Sequence, residues 1–215
     1  GPSEYPILRA MPGNFQNKDA ILDLADPAAP KEPDWPQVDF IVGNPPFLGG
    51  NRIRQELGDD YVDTLFKLYK DRVPAFADLC CYWFEKARAA LENGGAKRAG
   101  LLATQGIRGG ANREVLKRIK ESGDIFWAVS DQDWILDGAT VHVSIAAFDD
   151  GTEKTHTLDG QAVATINPDL SSEADITEAK ILEENRGISY QGPSPKGSFN
   201  IDGINAQSVL TATRN

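Results

Sequence analysis

The segment that most restricts how this chain can fold is Val38-Asp39-Phe40-Ile41-Val42, a short apolar run stopped abruptly by Gly43 and Asn44-Pro45-Pro46. Such a run, bounded by turn residues, reads as a buried strand. Two consecutive prolines allow neither a helix nor a continued ladder, because proline holds φ near about −65° and has no N–H to donate. A rigid loop therefore sits at the strand's carboxyl end. Helical periodicity follows: Tyr61, Leu65, Leu68 and Tyr69 share one face between Tyr61 and Tyr69, and Ala77 to Glu92 repeats the stripe until Asn93-Gly94-Gly95 stops it. Ala99 to Thr104 is a second buried strand, and Gln105-Gly106-Ile107-Arg108-Gly109-Gly110 turns the chain into a helix from about Asn112 to Glu121, closed by Gly123. Short apolar strands alternating with helices predict an α/β fold, a parallel sheet with helices on both faces.

The carboxyl-terminal part reads differently. Asp124 to Ser130 and Val141 to Phe148 are expected to pair antiparallel, with Trp134 and the turn-forming Asp137-Gly138 in the span between them. Lys154 to Leu158 and Gln161 to Ile166 flank Asp159-Gly160, a dipeptide suited to a type I′ hairpin because both central residues need positive φ. This predicts a small β appendage. Beyond Asn167 the chain is polar and rich in Gly and Pro, with a helical candidate at Asp175 to Asn185 and a loop at Gly192 to Gly197. It reads as a connector entering another domain.

Composition narrows the function classes. The 215 residues are 40% hydrophobic, ordinary for a soluble core. No stretch approaches the ~18 consecutive apolar residues of a membrane span, and no signal pattern opens the chain, so a cytoplasmic, membrane-free protein is expected. Cys80 and Cys81 are adjacent within an amphipathic segment and read as small buried apolar residues. His142 and His156 have no partner at metal-ligand spacing, so no metal is assigned. The formal net charge of -10 opposes nucleic-acid binding, which depends on Lys and Arg neutralising phosphates. The charge is uneven, however: acids gather around Asp23 to Asp34 and after Asp149, whereas Arg52, Arg54, Arg108, Arg113, Lys117 and Arg118 fall near the Asn44 loop and the turns that follow it.

In open α/β sheets ligands bind beyond the carboxyl ends of the strands, which makes Asn44-Pro45-Pro46-Phe47 the candidate site. This tetrapeptide in this context resembles the signature of the amino-methyltransferases. The resemblance widens through Gly49-Gly50-Asn51-Arg52, Leu57-Gly58-Asp59-Asp60-Tyr61-Val62-Asp63, Ala77-Asp78-Leu79-Cys80-Cys81-Tyr82-Trp83-Phe84-Glu85-Lys86-Ala87 and Leu102-Ala103-Thr104-Gln105-Gly106-Ile107-Arg108-Gly109-Gly110. Over most of residues 15 to 200 the chain is similar to the methyltransferase core of the MmeI-like, type IIL restriction-modification enzymes, which join endonuclease, methyltransferase and recognition domains in one polypeptide.

The resemblance implies part of a class I, Rossmann-like methyltransferase sheet, methyl transfer from S-adenosylmethionine to adenine N6 in double-stranded DNA, and a prokaryotic cytoplasmic setting. Its chemistry has a physical reason. The exocyclic amine of adenine is a poor nucleophile because its lone pair is delocalised into the ring. Asn44 would accept one N6 hydrogen and the Pro45 carbonyl the other, the prolines holding that carbonyl toward the pocket. Phe47 would stack on a base that has left the duplex. Direct in-line transfer needs positioning and neither a covalent nucleophile nor a metal, and neither cysteine follows a proline as cytosine C5 chemistry would want. The resemblance also places Asp19 at the cofactor adenine, at the end of a third strand, and Asp78 at the start of the helix lining the pocket, where it would serve equally as a cap. Trp134 is the nearest candidate for a second stacking aromatic, the closest register giving Leu136. Arg52, Arg108 and Arg113 are candidate phosphate contacts, and Trp83 and Phe84 are expected in the core.

The glycine-rich first turn of such a fold and the acid ending its second strand are not found before Asn44. Residues 1 to 150 therefore read as the latter part of a methyltransferase domain, and 151 to 215 as a hairpin and connector toward a target-recognition domain. The strand at Val38 to Val42 should then present an apolar edge, and a fragment so truncated should be inactive alone, its partners being the remaining cofactor-binding segment, the recognition domain and any nuclease. The same signature also serves enzymes that methylate RNA bases or protein glutamine, and a non-catalytic DNA-binding module is the reading from a different class.

Overall fold

A computed structural model describes residues 15–136 and 139–173. Among them a six-stranded mixed sheet is joined by four α-helices: β1 (Phe40–Gly43), α1 (Ile53–Leu57), α2 (Asp59–Leu68), α3 (Cys80–Glu92), β2 (Arg98–Thr104), a 3-10 turn (Gln105–Arg108), α4 (Arg113–Ser122), β3 (Asp124–Leu136), β4 (Ala139–Asp149), β5 (His156–Leu158) and β6 (Gln161–Val163). The sheet order is β1-β2-β4-β3-β5-β6. Strands β1 and β2 are parallel, β4 runs antiparallel to both β2 and β3, and β5 lies parallel to β3.

Helix α3 is the centre of the core. Cys80, Cys81, Tyr82, Phe84, Ala87 and Leu91 are all buried on it, as expected of a helix covered on most sides. Tyr82 meets Tyr69 edge to face at 5.0 Å, and Phe84 stacks on Phe148 of β4 at 6.1 Å. Helix α4 buries only Val115, Leu116 and Ile119, the single stripe of an amphipathic helix. Both cysteines are free and buried. A hydrogen bond from Cys81 and then burial hold the Cys80 thiol well above its ordinary pKa, so the two behave as the small core residues expected.

Three expectations need correction. The first concerns β1, which is not buried: among the described residues it is bonded to β2 on one side only, and Phe40 and Val42 are 65% and 85% exposed. It forms the apolar sheet edge inferred from the Val38 to Val42 run. The two long strands, secondly, are longer than periodicity suggested. Strand β3 continues to Leu136 and β4 begins at Ala139, so Trp134 lies inside a strand, paired with Val141; the Asp137-Gly138 turn falls outside the described residues. Alternation was obscured because β3 carries two one-residue irregularities, between Ile125 and Trp127 and between Val129 and Gln132, each of which reverses which face the following side chains meet. Finally, the hairpin at Asp159-Gly160 is no appendage. Both turn residues have the predicted positive φ, 50° and 77°, but β5 pairs with Trp127 and Ala128 and extends the main sheet. The helix and loop expected beyond Asp175 lie outside the described residues.

Candidate active site at the carboxyl ends of the first two strands

Register places the candidate elements on one border of the sheet. Gly43 pairs with Leu101, so Asn44 leaves β1 as β2 nears its own end at Thr104, which pairs with Val143. Beyond Val143 only the β3–β4 hairpin continues, carrying Trp134. The Asn44 loop, the Gln105–Arg108 turn and the hairpin overhang thus share the carboxyl-end border, where α/β sheets bind ligands.

Asn44 is exposed and Pro45 buried. Asn44, Pro45 and Pro46 line a cleft of about 470 Å³ whose other walls include Trp35, Phe40, Val42 and Trp83. Phe47 is partly buried and packs against the core, so only part of its ring is free for a ligand. Trp83, expected in the core, packs against it but is only half-buried and also lines this cleft. Trp35 is a wall residue that no motif indicated. Its indole N–H donates to the Ala20 carbonyl at 2.9 Å, and the Lys86 ammonium lies 5.1 Å from its ring centre. A lone tryptophan in a proline-rich stretch gives no periodic signal, so only the fold reveals it.

Asp19 does not end a strand among the described residues; the only pairing in its neighbourhood is an isolated bridge between Asp23 and Lys31. Its Oδ1 accepts the backbone N–H groups of Ile21 and Leu22 at 2.9 and 3.0 Å, and its Oδ2 accepts the Tyr61 hydroxyl at 2.7 Å. Burial first, and then the bond to Asp19, push the Tyr61 hydroxyl well above its ordinary range, so it stays a donor. The Asp19 segment is held further by Tyr69, which donates to the Ile21 carbonyl. Asp19 lines a separate cleft of about 360 Å³ with Lys18, Asp23 and Asp34. Pro33 and Asp34 border that cleft, and Trp35 and Pro36 border the Asn44 cleft, so one tetrapeptide walls both.

Asp78 is buried and precedes α3 instead of opening it. Its Oδ1 accepts the N–H groups of Leu48 and Cys80, each at 3.1 Å. The first bond ties the residue after Phe47 to the start of α3; the second satisfies an N–H that the helix leaves free.

The basic residues near the motifs are not an open positive patch. Arg52 pairs with Glu56 at 2.6 Å, Arg54 with Asp63 and Asp59 at 2.6 and 3.1 Å, Lys117 with Glu114 at 2.9 Å, and Arg118 with the buried Glu85 at 3.1 Å. Arg108 donates to the Asp169 carbonyl at 2.9 Å, which ties the post-β2 turn to the segment after β6. Arg113 differs: its Nε is buried without a hydrogen-bond partner among the described residues. Exposed ion pairs such as those of Arg52 and Arg54 are weak, so both side chains can change partners at little cost. Trp134 is 38% exposed. Near it the His142 Nδ1–H donates to Asp131, 2.8 Å away, and lies 3.6 Å from Asp133.

Comparison with known proteins gives two findings. The family model described as the MmeI DNA-methyltransferase domain matches residues 13–159. Among solved structures, that of the type IIL restriction-modification enzyme MmeI in complex with DNA is similar, with a TM-score of 0.52 at 21% sequence identity, over 64% of this chain and 20% of that chain. The present chain therefore spans a small part of that enzyme's length. No curated protein matches.

Proposed function

The chain belongs to the MmeI DNA-methyltransferase domain family, and from that membership we propose that it transfers a methyl group from S-adenosylmethionine to the N6 amine of an adenine rotated out of duplex DNA, as one part of a restriction-modification enzyme. The observation that carries this reading is the exposed Asn44 amide at the carboxyl end of β1, lining a cleft with the two prolines that stiffen its loop. The Asn44 oxygen and the Pro45 carbonyl accept the two N6 hydrogens, which localises the nitrogen lone pair for attack. The free part of the Phe47 ring meets one face of the base, and Trp134, on the same border of the sheet, is placed to approach a base from the hairpin. Arg52, Arg108 and Arg113 serve the phosphates, the first by exchanging its partner Glu56.

The residues also suit the cofactor. Trp35 and Phe40 offer aromatic faces and Val42 apolar surface for the cofactor, while Asp19, which the resemblance puts at the cofactor adenine, offers a carboxylate to accept its amine hydrogens. S-adenosylmethionine, when bound, supplies a methyl group on a sulfonium leaving group. The chain's part is to present the amine and exclude water. Asp78 acts on this site through the backbone of Leu48 and not by direct contact.

The test is Asn44→Ala in the full-length protein, assayed for labelled methyl transfer to duplex DNA. Loss of an acceptor used only as the amine becomes nucleophilic should lower kcat by about 100-fold or more, with DNA affinity nearly unchanged. Retained activity would place the chemistry elsewhere.

A further inference from the structure

Asn112 stands at the start of α4, where asparagine normally caps the helix by accepting a backbone N–H. Here it makes no capping bond. Its side chain is turned the other way. Oδ1 accepts the Asp78 N–H at 2.7 Å, Nδ2 donates to the Gly106 carbonyl at 3.1 Å, and the Cys81 sulfur lies 3.7 Å from the same Oδ1. With its own backbone already helical, Asn112 commits its side chain to backbone groups outside α4.

The bonds continue toward the site. Asp78 Oδ1 accepts the Leu48 N–H, and the Leu48 carbonyl accepts the Leu79 N–H at 2.9 Å. Leu48 directly follows Phe47, and Gly50 two residues later has no room for a side chain, since a Cβ there would lie 2.3 Å from the Phe76 carbonyl oxygen. One string of hydrogen bonds thus joins the turn after β2 at Gly106, the start of α4, the start of α3 and the loop after β1. Of the four, the Asn44 loop is the least anchored by secondary structure, because β1 sits at the sheet edge. We infer that Asn112 is a positioning residue for methyl transfer, holding the Asn44-Pro45-Pro46-Phe47 loop in register with the rest of the site through Asp78 and Leu48. The inference rests on the proposed role of Asn44 as acceptor.

An amide suits this position because it alone offers an acceptor to one neighbouring backbone and a donor to the other. Alanine would leave the Asp78 N–H and the Gly106 carbonyl without these partners and release the string at its midpoint. Aspartate would keep the acceptor and lose the donor. Displacing catalytic groups by an ångström through such a change costs on the order of 100-fold in rate.

The experiment compares wild type, Asn112→Ala, Asp78→Ala and their double variant in the full-length protein, measuring methyl transfer to duplex DNA together with amide hydrogen exchange over residues 44–50. Expected are a kcat loss of about 100-fold in Asn112→Ala with KM for DNA and cofactor changed little, the pattern of an interaction that matters in the transition state. The two single losses should be non-additive, as for residues in one network, and exchange should rise in the Asn44 loop. Unchanged kcat, a rise in KM alone, or additive losses with Asp78→Ala overturns the inference. If Asn112→Ala does not fold, Asn112→Asp takes its place: lowered kcat with faster loop exchange supports the role, and wild-type values refute it. Should the wild type transfer no methyl group, the proposed function fails on its own. The exchange data then decide alone, and an undisturbed Asn44 loop in Asn112→Ala overturns the link.

Discussion

At the scale of single residues, Glu85 shows how far a side chain's role can depart from its type. It is fully buried on α3, where it accepts two hydrogen bonds from Arg88 at 2.9 and 3.0 Å and two from Arg118 at 3.1 and 3.4 Å. Those bonds raise the Arg88 pKa above its ordinary value, so the cation is permanent. Glu85→Ala would remove the buried partner of Arg88 and leave it only Glu92 and Ser122, and should cost about 3 kcal/mol, the low end for breaking a buried pair, measured by urea denaturation; a change under about 1 kcal/mol would show that solvent reaches the cluster. A glutamate between apolar residues reads in sequence as the polar face of a surface helix, so this network was not legible. His142 tests electrostatics on the hairpin. Its hydrogen bond to Asp131, and then the charges of Asp131 and Asp133, raise its pKa above the usual value. A raised folded value means that the stabilisation is complete below the unfolded pKa of about 6.5 and disappears as pH climbs through the folded value. An NMR titration should find the His142 midpoint lowered in Asp131→Asn; an unmoved midpoint would show that the pair does not form in solution.

At the scale of elements, the hairpin joining β5 and β6 controls the longer one beside it. Asp159 accepts the Ser130 N–H and hydroxyl, both at 2.7 Å, and its own N–H donates to the Ala128 carbonyl. Ser144 of β4 adds a bond to the Ser130 carbonyl. These partners sit at the second irregularity of β3, where one extra residue turns the strand, and the overhang carrying Trp134 begins just beyond. Asp159→Ala should therefore speed amide exchange across Asp131 to Leu136 and Ala139 to His142 while leaving the Arg98–Thr104 strand protected; uniform protection would separate the two hairpins. The Asp159-Gly160 turn itself was plain in the sequence because its backbone demands positive φ. Its docking on β3 was not, since a parallel pairing between distant segments leaves no local mark. The helices were legible for the opposite reason, as their apolar stripes are local, although α3 begins three residues later than its stripe because Asp78 holds the chain in a turn.

At the scale of the whole molecule, the border of the sheet where ligands gather could be inferred from strand order and proline placement alone, but the walls of the cleft could not. Trp35 and Trp83 enter it from the segment before β1 and from α3, a meeting that only tertiary packing creates. The charge argument also changes at this scale. The basic residues that appeared to offset a net charge of -10 are mostly paired internally, so they form no open positive patch among the described residues. The central claim is a chemical one, and the identity of the product tests it most directly. Duplex DNA incubated with the full-length protein and isotopically labelled S-adenosylmethionine, then digested and resolved by mass spectrometry, should carry the label as N6-methyladenine. Label found in 5-methylcytosine, or appearing in RNA or protein offered beside an unlabelled duplex, would contradict the account.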